Sequence, residues 1–102
     1  MKRSPSSFEE AIDAVVKDIR DTVVRKQHDY GPYNILHSPF GPEKALLVRI
    51  WDKFARIKNL IERGDAPVNE GLDDSWLDMA GYAIIALMVR KGYFELPMSD
   101  EV

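Results

Sequence analysis

Apolar positions recur along this chain at helical spacing in three separate stretches. Phe8, Ile12, Val15, Ile19 and Val23 follow at steps of four and three, which lays one apolar stripe along a helix. Ser6 with Glu9, and Ser7 with Glu10, have the capping-box spacing that satisfies free N–H groups at a helix start. The pattern fades near Gln27, and Gly31-Pro32 ends it. Residues 29–41 are expected to form a loop. Gly41-Pro42 then opens a second helix over about 43–63, with Pro42 in the first turn, where its missing N–H costs nothing. Leu46, Leu47, Ile50, Phe54, Ile57 and Ile61 are its predicted apolar face, and Gly64 its stop.

The third pattern is different. After a connector, "DAPVNEG", a helix capped by Asp73 or Asp74 is predicted to run to Lys91 and end at Gly92. From Trp76 to Val89 it is apolar almost all round, which marks a helix buried on most sides. Ala80, Gly81, Ala83 and Ala86 are small enough to let neighbouring backbones come close. Residues 95–102 turn polar and acidic and read as a loosely held tail. The expected fold is all-α: a single domain over 1–102, a three-helix amphipathic bundle that homo-oligomerisation, most simply as a dimer, completes around the third helix.

Composition narrows the chemistry. The chain has 102 residues and no cysteine, so disulfides, thiolate catalysis and zinc–thiolate sites are excluded. Two histidines, His28 and His37, do not make a zinc site unaided. A net charge of −3 argues against a nucleic-acid polymer as ligand but is indifferent to a mononucleotide, which needs only a few local cations. No apolar run approaches the ~20 residues that span a bilayer. The start "MKRSPSSFEE" lacks the apolar centre of a secretory signal, so the cytoplasm is the expected compartment.

Asp78 is the most informative residue. It stands among Leu77, Met79, Gly81, Tyr82 and Ile85, and a buried carboxylate needs a cation, a metal or donors. Asp74 lies one turn earlier, and two like charges at that spacing repel unless something positive sits between them. Magnesium or an arginine would serve. Against this stands the plainer reading that Asp74 caps the helix and Asp78 holds a structural salt bridge. Arg49, Asp52, Lys53 and Arg56 fall within an arc of roughly 100° opposite the predicted apolar face of the second helix. That arc is either a solvated surface or a phosphate cradle of three cations around one acid. In "KQHDYGPYN", Tyr30 and Tyr33 are suited to stack on a base and Asn34 to read a base edge or ribose, while a lone His28 in a polar loop carries little weight.

The order of these pieces is more telling than any one of them. "KQHDYG", "YNI", "VRIWDKFARIKNL" and "DDSWLDMAGYAIIAL" together resemble the phage nucleotide-modification-associated domain family, which looks like a compact relative of the MazG-like all-α nucleotide pyrophosphohydrolases. The resemblance covers about residues 22–90. It implies an α-helical, oligomeric protein that binds or acts on nucleoside phosphates, in the cytoplasm of the infected bacterium if phage-encoded. In the MazG-like group magnesium is held by an "ExxE" pair on one helix and an "ExxD" pair on the next. Here the matching stretches read Arg49-Ile50-Trp51-Asp52 and Ser75-Trp76-Leu77-Asp78, so only the second member of each pair is a carboxylate. Asp74 is one position out of register, about 100° round the helix.

Three functions follow as expectations. The first is Mg²⁺-dependent hydrolysis of a nucleoside triphosphate to monophosphate and pyrophosphate, with Asp52 and Asp78 catalytic and Asp52, Asp74 and Asp78 on the metal. Arg49, Lys53 and Arg56 would hold phosphates, and His28, Tyr30 and Asn34 would border base or sugar, with Asp29 and Tyr82 also in the substrate-binding set. The second is a non-catalytic nucleotide-binding module, serving DNA modification or sequestering a nucleotide, in which Asp78 orients an arginine. The third is a helical factor that engages a host protein. Direct binding of a nucleic-acid polymer or a membrane is not expected.

Overall fold

The structure is a computed structural model that describes residues 4–64 and 71–99. Four helices follow in order: α1 (Phe8–Tyr30), α2 (Tyr33–Leu36), α3 (Pro42–Arg63) and α4 (Leu72–Arg90). The described residues contain no strand, and none of their helices is long and apolar enough to cross a membrane. Most of the connector predicted before the last helix, and the end of the tail from residue 100, lie outside the described residues.

Ser7 caps α1 as expected: its Oγ accepts from the Glu10 N–H at 3.1 Å, while the Glu10 carboxylate reaches back to the Ser6 N–H at 2.8 Å. The helix runs three residues past Gln27, so His28, Asp29 and Tyr30 are its last turn rather than loop. Gly31 ends it at φ 67°, ψ −176°, backbone that side-chain-bearing residues essentially never adopt.

The predicted loop over 29–41 is shorter than expected and contains α2. Four residues are too few to show a period, but Ile35 needs burial, and one turn of helix carries it inward to 5% exposure. There it meets Leu46, Ile85 and Phe94, the core cluster. Phe94 reaches this cluster because the chain turns back just after α4, at Gly92, which takes a left-handed conformation. The Tyr93 N–H bonds back to Met88 O at 2.8 Å, and the Gly92 N–H to Val89 O at 3.1 Å. The chain after α4 is therefore anchored in the core at Phe94, just ahead of the residues read as tail.

Two expectations about the longer helices are corrected. Gly71, not Asp73 or Asp74, is the N-cap of α4, and Asp74 contributes the return bond, accepting the Gly71 N–H at 3.3 Å. The larger correction is the rotation of α3, which packs mainly on α4. Its buried residues are Leu46, Ile57 and Leu60, with Arg49, Lys53 and Arg56 half-buried beside them. Leu47, Phe54 and Ile61, predicted to face inward, are exposed. The inner face is turned by roughly 70° from the predicted one, at 100° per residue. The physical reason lies in the polar groups of α4: Ser75 and Asp78 draw the cations of α3 toward them, and half the apolar arc of α3 is left outside.

Helix α4 is covered by α3 on one side and α1 on another, with Trp76 and Leu87 left exposed. Helices α1 and α4 approach closely at Gly81, where a Cβ would stand 3.2 Å from Val23 Cγ2. Of the small residues on α4, this is the one at which closeness requires glycine.

Candidate nucleotide cleft

Asp78 organises the site. Its carboxylate is 12% exposed and takes a lysine on each oxygen: Lys26 Nζ from α1 at 2.8 Å on Oδ1, and Lys53 Nζ from α3 at 3.0 Å on Oδ2. Burial alone would push its pKa up. The hydrogen bonds and charges of the two ammonium groups outweigh that and hold it below the ordinary carboxylate value. The expected cation is therefore present, but it is a pair of lysines from two helices, and one carboxylate fastens three helices together. A second polar link lies one turn earlier, where Arg56 Nη1 donates to Ser75 Oγ at 2.6 Å. Ser75 is fully buried. It occupies the position at which the resemblance would place a carboxylate, and it is engaged by a guanidinium.

On the outer side of Lys26 a cleft of about 270 Å³ opens between α1, α2, α3 and α4. Lys26, Gln27, Tyr30, Asn34, Arg49 and Tyr82 line it, with Ile35 and Ile85 at its apolar side. Four of the residues expected to bind substrate, Tyr30, Asn34, Arg49 and Tyr82, are thus brought to one place. Lys26 and Gln27 complete it. Both lie in the quoted motif "KQHDYG", and the fading of the apolar stripe at that point was the available signal: the last turns of α1 are polar because they face a cleft. Gln27 also ties the cleft to the core, its Nε2 lying 3.5 Å from Phe94 O.

Other expected residues lie elsewhere. His28 and Asp29 are exposed at the end of α1 and do not line the cleft. Tyr33 stacks on His37, with ring centroids 4.7 Å apart, and is likewise outside it. Lys53 and Arg56 stand behind the cleft, on Asp78 and Ser75.

The three carboxylates expected on a metal are not gathered. Asp52 is exposed on α3. Asp74 accepts the Gly71 N–H at the start of α4 and borders a separate surface depression with Asp18, Asp21 and Asp73. Asp78 has a lysine on each oxygen. Among the described residues no group of three or more His, Asp or Glu side chains is placed to hold a metal ion. The donor set therefore does not fit a carboxylate-bound magnesium.

The arrangement defines a helical domain with a small cationic cleft flanked by aromatic and amide side chains. The chain belongs to the nucleotide modification associated domain 1 family, whose model matches residues 26–89. That span begins at Lys26 and takes in every residue of the cleft, together with Lys53, Arg56, Ser75 and Asp78. No curated protein and no solved structure matches the chain.

Proposed function

We propose that this chain is a nucleotide-binding module and that the cleft takes a nucleoside phosphate without a metal ion. One observation carries the proposal: two cations, Lys26 and Arg49, two tyrosines and two amides converge on the cleft with no carboxylate among its lining residues. Lys26 and Arg49 take the phosphate oxygens, Arg49 as a planar fork and Lys26 as a point charge. Tyr30 and Tyr82 offer faces to the base, and Gln27 and Asn34 offer donors and acceptors to the base edge or sugar. Asp78 positions Lys26 from behind.

The charge count sets a preference. Two cations balance one phosphate dianion, and the volume is at the small end of ligand pockets, which run from about 300 Å³ upward. A nucleoside monophosphate fits both better than a triphosphate does. Hydrolysis of a triphosphate, which a MazG-like relationship would imply, requires metal-bound water. The lysines on Asp78 speak against it.

The test is titration calorimetry of ribo- and deoxyribonucleoside mono- and triphosphates, in Mg²⁺ and then in EDTA, with a pyrophosphate assay on each mixture. Binding that survives EDTA, and that Arg49→Ala weakens by at least about tenfold, supports the proposal. Absence of heat with every nucleotide sinks it. Pyrophosphate formed only with Mg²⁺ would replace it with the hydrolase and turn attention back to Asp52 and Asp78.

A further inference from the structure

Asp78 does not line the cleft, yet it stands one side chain behind its wall. Its Oδ1 is 2.8 Å from Lys26 Nζ, and Lys26 lines the cleft. A phosphate oxygen taken by the same ammonium sits about 2.8 Å further out. The carboxylate is then roughly 6 Å from the ligand's phosphate. Its side chain is 12% exposed, so water and salt screen it little.

Bracing the helices does not by itself call for a carboxylate. One turn earlier the same two helices, α3 and α4, are joined through the neutral hydroxyl of Ser75. What Asp78 adds is charge. Lys26, Lys53 and Arg49 are three cations and Asp78 is one anion, which leaves a net of two positive charges at the cleft. Lys53 is held on Oδ2 at 3.0 Å, and Arg49 is half-buried with no ion pair among the described residues.

We infer, on the nucleotide reading of the cleft, that Asp78 is a specificity-determining residue whose charge restricts the ligand to a nucleoside monophosphate with an unesterified terminal phosphate. A phosphomonoester dianion cancels the two positive charges. A triphosphate brings further negative charge for which the wall holds no cation, and sets it near a carboxylate. A phosphodiester, as in a cyclic nucleotide, carries a single charge and leaves one cation of the cleft uncompensated.

The test is calorimetry on the full chain in EDTA. The ligands are the monophosphate, the triphosphate and the cyclic monophosphate of one nucleoside. The wild type binds the monophosphate more tightly than the other two. Asp78→Asn raises the affinity for triphosphate and moves the triphosphate-to-monophosphate ratio by about tenfold, the scale of one charge acting over several ångströms in a partly screened site. Loss of a structural brace alone would weaken both ligands together. Lys53→Gln removes a cation from behind the wall and moves the same ratio the opposite way; it carries the test if circular dichroism shows Asp78→Asn unfolded. A wild type that binds none of the three overturns the nucleotide reading itself. Binding with a ratio that neither variant moves, or a wild type that prefers the triphosphate, leaves that reading standing and overturns the role of Asp78.

Discussion

Replacing Asp78 by Asn keeps the shape of the side chain and removes its charge. Two lysines lose their counter-ion at once, and the Lys53 side chain is only 20% exposed. Breaking a fully buried ion pair costs about 3–5 kcal/mol, while a charge-assisted hydrogen bond is worth about 1.5–3 kcal/mol. The Lys26 side chain is 45% exposed and can turn to water, so the lower range applies, and about 2–3 kcal/mol is expected at pH 7. For a domain of this size that lowers Tm by roughly 8–20 °C.

The pH dependence identifies the cause. The folded-state pKa of Asp78 is depressed, so its contribution is complete above the unfolded value of about 3.9. It is lost as pH falls through the lower folded value. The gap between wild type and Asp78→Asn should be widest at neutral pH, narrow below about pH 4 and close under the depressed pKa. Urea titrations followed by circular dichroism at neutral and acid pH measure it. Asp21→Asn, which removes an exposed partner of Lys17 and Arg20, should leave the midpoint unchanged. Equal stability of Asp78→Asn and wild type at pH 7, or a gap that ignores pH, would refute the brace.

Three further outcomes are expected. Leu46→Ala, at a side chain 1% exposed, should cost about 2–5 kcal/mol in chemical denaturation. Gly81→Ala should destabilise by about 1 kcal/mol, because Val23 is β-branched and cannot swing its methyl aside within a helix. Ser75→Ala should cost about 1–2 kcal/mol by removing a buried acceptor from Arg56, and thermal melts of Ser75→Ala beside Arg56→Ala would show whether the two act as a pair.

The helices were legible where pattern and caps agreed. Ser7 with Glu10, Pro42 and the Gly64 stop placed α1 and α3 to within a few residues. Helix α2 was not legible, because one turn around a single apolar residue has no period. The facing of α3 was misjudged for a different reason. Its apolar arc is wider than one neighbour covers, and the sequence does not say which half the neighbour takes; that is decided by Ser75 and Asp78, nineteen and twenty-five residues beyond Arg56 and Lys53. The need of Asp78 for a cation was readable from its surroundings. That one cation is Lys53 was within reach, since it stands in the basic arc of α3; that the other is Lys26 was not, since it is fifty-two residues away in sequence. The cleft was half legible: Tyr30, Asn34, Arg49 and Tyr82 could be named from the motif, but His28 and Asp29 in the same motif point elsewhere on the last turn of α1.

Lys26 stands in two places at once, on the wall of the cleft and at the joint between α1 and α4. A phosphate that draws its ammonium outward competes with Asp78 for the same proton donors. A phosphate that tolerates both partners extends the joint into a three-member chain of alternating charge. In the first case saturating ligand slackens the contact of α1 with α4, and hydrogen exchange quickens along that seam. In the second it slows. By reciprocity, any change that strengthens the grip of Asp78 on Lys26 alters ligand affinity by the same free energy that the ligand returns to the joint. On the proposed reading, the side chain that would receive the ligand would also report its arrival to the helix packing.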